Sequence, residues 1–309
     1  MAKVFIDGKA GTTGLRIYER LGLRRDIDVI TLNEERRKDT AARAEAINAA
    51  DIVFLCLPDA AAIEATSLVE NDKTILIDTS TAHRTNDAWC YGFPELAGQF
   101  EKIQASKRIA NPGCHATGFV SLVAPLVEKG IVSCDALLSC FSMTGYSGGG
   151  KKMIADYEDE QRKPELVAPR MYGLSQQHKH LPEMKKLCHL ESTPAFCPIV
   201  SSYYAGMEVT VPLFASDIHG NIDDIKKVYT EYYRGKIVRY QDDADEAGFL
   251  SAATFAGRDD MQISVYGNED RILLVSRFDN LGKGASGAAI QNMNILLGVD
   301  ETTGLNIGG

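Results

Sequence analysis

Four short apolar runs, each separated from the next by a helix-patterned stretch, constrain this chain more than anything else in it. Lys3 to Asp7, Asp28 to Asn33, Asp51 to Leu57 and Thr74 to Asp78 each read as a buried strand. Between them, Gly11 to Leu23, the alanine-rich Thr40 to Ala49, and Ala60 to Val69 read as helices. Strands of this kind cannot pair in parallel without a crossover, and the intervening helices supply it. The expected product is an α/β fold with a doubly wound parallel sheet, which takes ligands at the carboxyl ends of its strands.

After about residue 115 the pattern changes. A helix from Ala116 to Glu128 leads to an apolar strand from Ala136 to Met143 and then a glycine cluster. Asp156 to Pro182 is polar and weakly periodic, which predicts a loop over a site. Strand signals follow at Ala195 to Ser201, Met207 to Leu213, Met261 to Val265 and Ile272 to Phe278, with one amphipathic helix at Ile222 to Tyr233. Runs of strands with segregated helices predict an α+β domain on a mostly antiparallel sheet. An exposed face on such a sheet predicts a homodimer or homotetramer. A small-residue helix from Gly284 to Leu297 closes the chain.

Composition narrows the partners. The formal net charge of -9 argues against nonspecific binding to nucleic acid or to an anionic membrane, both of which need a basic surface. No apolar run reaches the roughly 20 residues of a membrane span. The first residues enter a strand pattern directly, without an apolar leader, so a cytoplasmic protein is expected. Seven cysteines, an odd number with no C-x-x-C pair, fit reduced thiols better than disulfides or zinc.

Gly8, Gly11 and Gly14 follow the first strand and open the first helix, with Thr12 and Thr13 between the last two. That is the place of a dinucleotide fingerprint in a Rossmann-type sheet, although the spacing is G-x-x-G-x-x-G. Glycines there let a pyrophosphate approach the helix N-terminus, where free N–H groups and the dipole favour an anion. Beyond the second strand stand Glu34, Glu35, Arg36, Arg37 and Lys38. The three cations suit the 2′-phosphate of NADP(H); a solvated loop balanced by the two glutamates is the open alternative.

Ala110-Asn111-Pro112-Gly113-Cys114-His115 places a thiol at or just before a helix start. Helix N-termini stabilise thiolates, and the same amides can hold an oxyanion. Cys114 is therefore the candidate nucleophile. His83, His115, His189 and His219 are isolated in their segments, but His178 and His180 flank Lys179 ahead of a predicted helix. Residues two apart in an extended segment share a side. A general acid/base for Cys114 is the favoured reading. A metal pair is the weaker one, because no carboxylate or cysteine accompanies the histidines at ligand spacing. The stretch from Ser142 to Lys152, with Ser147, Gly148 and Lys151, suits a phosphate or carboxylate, or else forms a flexible exposed hairpin.

Taken in order, several of these motifs resemble one family: Gly8 to Gly14, Asp78-Thr79-Ser80 with Arg84, Tyr91 to Leu96, Asn111 to Cys114, His178 to Glu183, and Asp279 to Ala289. The family is the N-acetyl-gamma-glutamyl-phosphate reductases, the arginine-biosynthesis branch of the semialdehyde dehydrogenase superfamily, in its compact subgroup. The resemblance spans essentially the whole chain. It implies NADPH-dependent reduction of a small acyl phosphate to a semialdehyde through a thioester on Cys114, with His180 in preference to His178 managing the proton. It also implies that Ser80, Gly282 and Gly284 lie at the cofactor and that Arg84, Asn111, Ser147, Gly148 and Lys151 lie at the substrate. The domains would be 1–114, completed by 284–309, and 115–283, the catalytic and oligomerisation domain. Longer members have an arginine where Ala205 stands, so the substrate-anchoring cation must come from elsewhere; Arg84, Lys151 and Lys179 are the candidates. An aspartate-semialdehyde dehydrogenase-like reductase is the enzymatic rival, and a non-catalytic nucleotide-binding regulator the rival of another class.

Overall fold

The apolar runs of the N-terminal stretch pair in parallel, as their intervening helices require. In the computed structural model, which describes residues 1–308, they belong to a unit comprising Met1–Pro112 and Ala285–Leu305. Its elements are β1 (Ala2–Asp7), α1 (Thr12–Leu21), β2 (Ile27–Ile30), α2 (Thr40–Ala49), β3 (Ile52–Leu55), α3 (Asp59–Ser67), β4 (Ile75–Asp78), β5 (Cys90–Tyr91), α4 (Gln99–Gln104) and β6 (Arg108–Ala110). The helix Gly287–Leu296 completes it.

The six strands lie in the order β2-β1-β3-β4-β6-β5, all parallel. Consecutive apolar residues are needed because successive side chains face opposite ways and both faces are covered. Val4, Ile6, Ile52 and Phe54 pack on Ile17 and Leu21 of α1 and on Ile290 and Met293 of the last helix. Phe5, Val53, Leu55 and Leu76 pack on Ala46 and Ile47 of α2 and Ala65 of α3. Strand order reverses at β1, with β2 to one side and β3 to the other. The crevice at the carboxyl ends of β1 and β3 is where such sheets hold ligands.

The second unit runs from Gly113 to Gly284 and is joined by the residues from Asn306 onward. It contains α5 (Cys114–Glu128), β7 (Ser139–Gly145), α6 (Gly150–Glu158), β8 (Arg170–Met171), α7 (Leu181–Leu187), β9 (Ala195–Ser201), β10 (Met207–Phe214), α8 (Ile222–Tyr232), β11 (Val238–Tyr240), β12 (Met261–Gly267) and β13 (Arg271–Phe278). Its seven-stranded sheet has the order β11-β12-β13-β10-β7-β9-β8, with parallel pairing only between β11 and β12 and between β7 and β9. Helix α5 lies close against one face: a Cβ on Gly118 would meet Val209 Cγ2 at 2.3 Å. Tyr229 and Tyr233 reach across and donate to the carbonyls of Leu122 and Ser121. The opposite face leaves Phe141 and Leu273 exposed.

Two expectations change here. The glycine cluster after β7 is not a flexible hairpin. Tyr146–Gly149 form a 3-10 turn, and Gly150, at φ +73°, opens α6, so Lys151 and Lys152 ride on a helix. Backbone bonds from Tyr146 and Ser147 to the carbonyls of Tyr203 and Tyr204 hold the turn down. The stretch from 156 to 182 is also more ordered than its weak periodicity suggests. Tyr157 is buried with Leu166 and Val200 and stacks on Tyr146, and Arg170–Met171 pair antiparallel with β9.

Candidate active site

At the carboxyl ends of β1 and β2 the first unit has a pocket of about 570 Å³, lined by residues that include Gly8, Lys9, Leu32, Arg37, Lys38 and Arg43. Its glycine turn is sterically enforced at two positions. Gly8 has φ +88° and a Cβ there would meet the Cys56 carbonyl oxygen at 2.2 Å; at Gly14 it would meet the Gly8 oxygen at 2.6 Å. At Gly11, by contrast, a Cβ would make only ordinary contacts. Gly11 caps α1, leaving Thr12 and Thr13 in a first turn with no acidic residue and no side-chain cap. Such an end favours an anion.

The cations beyond β2 are sorted by the fold. Arg37 and Lys38 line the pocket, Arg37 paired with Glu34 at 2.7 Å. Arg36 instead reaches Glu45 at 3.4 Å. Arg43, hidden in an alanine-rich helix and missed by sequence reasoning, is buried and donates through Nε and Nη2 to Asp7 at 3.0 and 2.9 Å. Even so, burial pushes the Asp7 carboxyl above the usual range, and Arg43 opposes that shift. The pocket residues suit an anionic dinucleotide: a pinched glycine turn, an uncapped helix and four cations against two carboxylates.

Several other candidates in this unit are occupied by its own structure. Ser80 donates through Oγ and its amide to the buried Asp78, which also meets His83 Nδ1 at 2.6 Å. Arg84 is buried and donates to the carbonyls of Asn111 and Thr79. Asn111 donates to the Ala285 carbonyl and accepts from Asn292. Arg84 and Asn111 thus brace strand ends, which explains their burial without a ligand.

In the second unit Cys114 is the first residue of α5, half-buried, with Gly113 as an uncapped N-terminal residue in extended conformation. The Gly113 amide donates to Oε1 of Glu183, itself 1% exposed, at 2.9 Å. A Cβ on Gly284 would stand 3.0 Å from Cys114 Cβ and 3.1 Å from the Asp279 oxygen, so a side chain here would crowd the cysteine. Gly282 is tighter still against the Arg258 carbonyl. Both lie in a wide π-helical turn, Gly282–Ser286, ahead of the last helix.

His115 corrects the sequence reading. It is not isolated but stands at the centre of a ring cluster, 5.6 Å from both His178 and His180 and 5.3 Å from Phe196. Its Nδ1 meets Ser142 Oγ at 2.6 Å and its Nε2 meets the Tyr172 hydroxyl at 2.6 Å. Burial drives its pKa down to about 3, so the ring is neutral. His178 is driven down to about 4 by burial first and by Lys179 second. Tyr172 is pushed well up, by burial and then by the nearby Cys114. Only a sequence with the sheet already paired could place Ser142, Tyr172 and His115 together.

His178 and His180 lie 4.8 Å apart by ring centroid, and the His180 amide donates to His178 Nδ1 at 3.2 Å. That bond leaves the neutral His178 proton on Nε2. Among the described residues, no group of three or more His, Cys, Asp or Glu is arranged to hold a metal ion. Ser147 is buried and accepts from Asn280 Nδ2 at 3.0 Å, and a Cβ on Gly148 would stand 3.5 Å from that same nitrogen. Lys151 and Lys179 are exposed.

Residues 3–105 match the family model described as semialdehyde dehydrogenase, NAD binding domain, and residues 114–280 match that described as semialdehyde dehydrogenase, dimerisation domain. The chain belongs to the semialdehyde dehydrogenase family. Among curated relatives, the N-acetyl-gamma-glutamyl-phosphate reductases of Brucella ovis and Brucella canis are each 45% identical over 306 residues, covering 96% of this chain and 99% of theirs. Among solved structures, aspartate semialdehyde dehydrogenase II of Vibrio cholerae aligns with TM-score 0.72 at 14% identity, covering 96% of this chain and 98% of that one. The Francisella tularensis aspartate semialdehyde dehydrogenase aligns with TM-score 0.71 at 14% identity, covering 96% and 100%. At such identities the likeness is one of fold alone.

Proposed function

We propose that this chain is an NADP(H)-dependent N-acetyl-gamma-glutamyl-phosphate reductase working through a thioester on Cys114. The observation that carries the reading is the place of that cysteine. It begins α5 beside a cluster of neutral histidines, in a chain 45% identical over nearly its whole length to reductases of that name.

The first turn of a helix has amides without intrahelical partners, and here they face the end that bears the thiol. They favour the thiolate and then the oxyanion that forms when sulfur attacks the acyl carbon. The C–S bond forms, the bond from carbon to the phosphate oxygen breaks, and phosphate departs with the electron pair. When bound in the first unit, NADPH would supply a hydride that takes the thioester carbon to the aldehyde level, the C–S bond breaking to return the Cys114 thiolate. Proton traffic falls to the histidine pair. With Nδ1 engaged by a backbone amide, neutral His178 offers an Nε2 proton and no free acceptor. That leaves His180 as the group that takes the thiol proton and passes one to the departing phosphate, with His178 as its donor neighbour.

The first unit fits NADP(H) through Gly8, Gly14 and the α1 terminus for pyrophosphate and through Arg37, Lys38 and Arg43 for the ribose phosphate. The exposed Phe141 and Leu273 face fits self-association as a homodimer or homotetramer, in line with the dimerisation-domain match. The test runs the reaction in reverse, with N-acetylglutamate semialdehyde, phosphate and NADP, and compares the substrate lacking the acetyl group and aspartate semialdehyde. Turnover at least tenfold more efficient with the acetylated substrate is expected, equal to about 1.4 kcal/mol of discrimination. A preference for aspartate semialdehyde would overturn the assignment.

A further inference from the structure

The substrate named above keeps a carboxylate remote from the reacting carbon, and such a group needs a charge-assisted partner. The cations considered so far do not supply one: Arg84 is bound to carbonyls of the first unit, and Lys151 and Lys179 are exposed. Arg170 differs from all three. Its position follows from strand register. Arg170 lies opposite Val200, which lies opposite Thr144. Tyr172, whose amide donates to the Pro198 carbonyl, continues the ladder in the row of Pro198 and Ser142. Val200, Pro198, Thr144 and Ser142 are all buried on the face that α5 covers, since Ser142 meets His115 of that helix.

Arg170 and Tyr172 are two residues apart on an extended edge, so they share that face, about 6.6 Å apart along the strand. Tyr172 bonds to His115 and lies near enough to Cys114 to respond to its charge. Arg170 is therefore one register row from the chemistry. Its Nη2 donates to the Tyr157 hydroxyl at 3.0 Å and its guanidinium lies 5.5 Å from the Tyr157 ring centre, which tethers one arm of the fork. Its Nε is sealed from solvent and meets no acceptor. A buried donor left unpaired is unfavourable, and an acceptor arriving with a ligand would answer it.

Resting on the reductase reading, we propose that Arg170 anchors the substrate's remote carboxylate and so selects acyl phosphates that carry one. A planar five-donor fork suits a carboxylate better than a lysine would, and this one does the work that the alanine at 205 leaves undone.

Two measurements test it. In the reverse reaction, Arg170→Met is expected to raise KM for N-acetylglutamate semialdehyde about 10- to 100-fold, the range for losing a charge-assisted bond, with kcat little changed. On a simple aldehyde of similar length without the carboxylate, variant and wild type should have the same kcat/KM. Equal losses on both aldehydes, or no change in KM, would overturn the proposal. If the wild type turns over neither aldehyde, the reductase reading fails, and alkylation of Cys114 still decides on Arg170. Anionic iodoacetate relative to neutral iodoacetamide should react more slowly with Arg170→Met than with wild type, and an unchanged ratio would count against the anchor. Should Arg170→Met not fold, Arg170→Lys is read in its place; it should shift both readouts the same way by less, and wild-type values would again overturn the idea.

Discussion

The Gly113 amide, one residue ahead of the candidate nucleophile, donates to Oε1 of Glu183 at 2.9 Å inside the second unit. Glu183 is in the first turn of α7, three residues beyond His180, so one short segment supplies both the histidines and the acceptor that fixes the start of α5. Glu183→Ala should destabilise the fold by about 1–3 kcal/mol, the cost of a buried amide left unpaired. It should also slow Cys114 alkylation. Glu183→Gln retains an acceptor and should recover most of the stability in chemical denaturation. Equal behaviour of the two variants would show that the bond does not matter.

The neutral histidines give the fold a pH dependence of definite sign. His115 and His178 bind protons with pKa values near 3 and 4 when folded, against about 6.5 in an unfolded chain. Between those values the unfolded state holds more protons, so stability rises with pH there. The contribution is complete above about pH 7 and is lost as pH falls from 6.5 toward 4 for His178 and toward 3 for His115. His178→Gln should therefore flatten the decline in denaturation midpoint between pH 7 and 5 relative to wild type. An identical decline in both proteins would refute the buried-neutral assignment.

Much of the first sheet was legible because its strands are apolar on consecutive residues, a pattern that only two covered faces explain. β5, β6 and β8 were not, since two or three residues give no period. Cys114 was readable through Asn111-Pro112-Gly113, which announces a helix start within the sequence itself. His115 was passed over for the opposite reason: its partners Ser142 and Tyr172 come from a distant strand and a distant edge, and only sheet register assembles them. Arg43 was hidden similarly, because its partner Asp7 is 36 residues away. Local signals mark where chain geometry is forced, whereas side-chain clusters depend on the tertiary fold.

The sorting of cations around the first unit's pocket predicts cofactor preference. Arg37→Ala should weaken NADP(H) binding about tenfold, or ~1.4 kcal/mol, and leave NAD(H) unchanged. Arg36→Ala, which removes only the exposed pair with Glu45, should change neither. Calorimetric titration of each variant with both cofactors checks this, and a matching loss for NADP(H) and NAD(H) would rule out a 2′-phosphate role for Arg37.

Gly284 is held close to Cys114 by space rather than by backbone angle. Gly284→Ala would press a methyl group against Cys114 Cβ, the Asp279 oxygen and Phe278. Overpacking of this kind costs about 1–3 kcal/mol. The expected result is a lower melting temperature together with slowed alkylation of Cys114. Slowed alkylation without any stability loss would instead indicate a direct chemical role for this turn.

The central claim is that Cys114 carries the acyl group. Its most direct test mixes the protein with N-acetyl-gamma-glutamyl phosphate in the absence of cofactor and follows phosphate release and intact mass. Wild type should release one phosphate per chain in a burst and gain the mass of one acyl group, which peptide mapping places on Cys114. Cys114→Ala should do neither. A burst that survives in Cys114→Ala, or an acyl group mapped to another residue, would contradict the account.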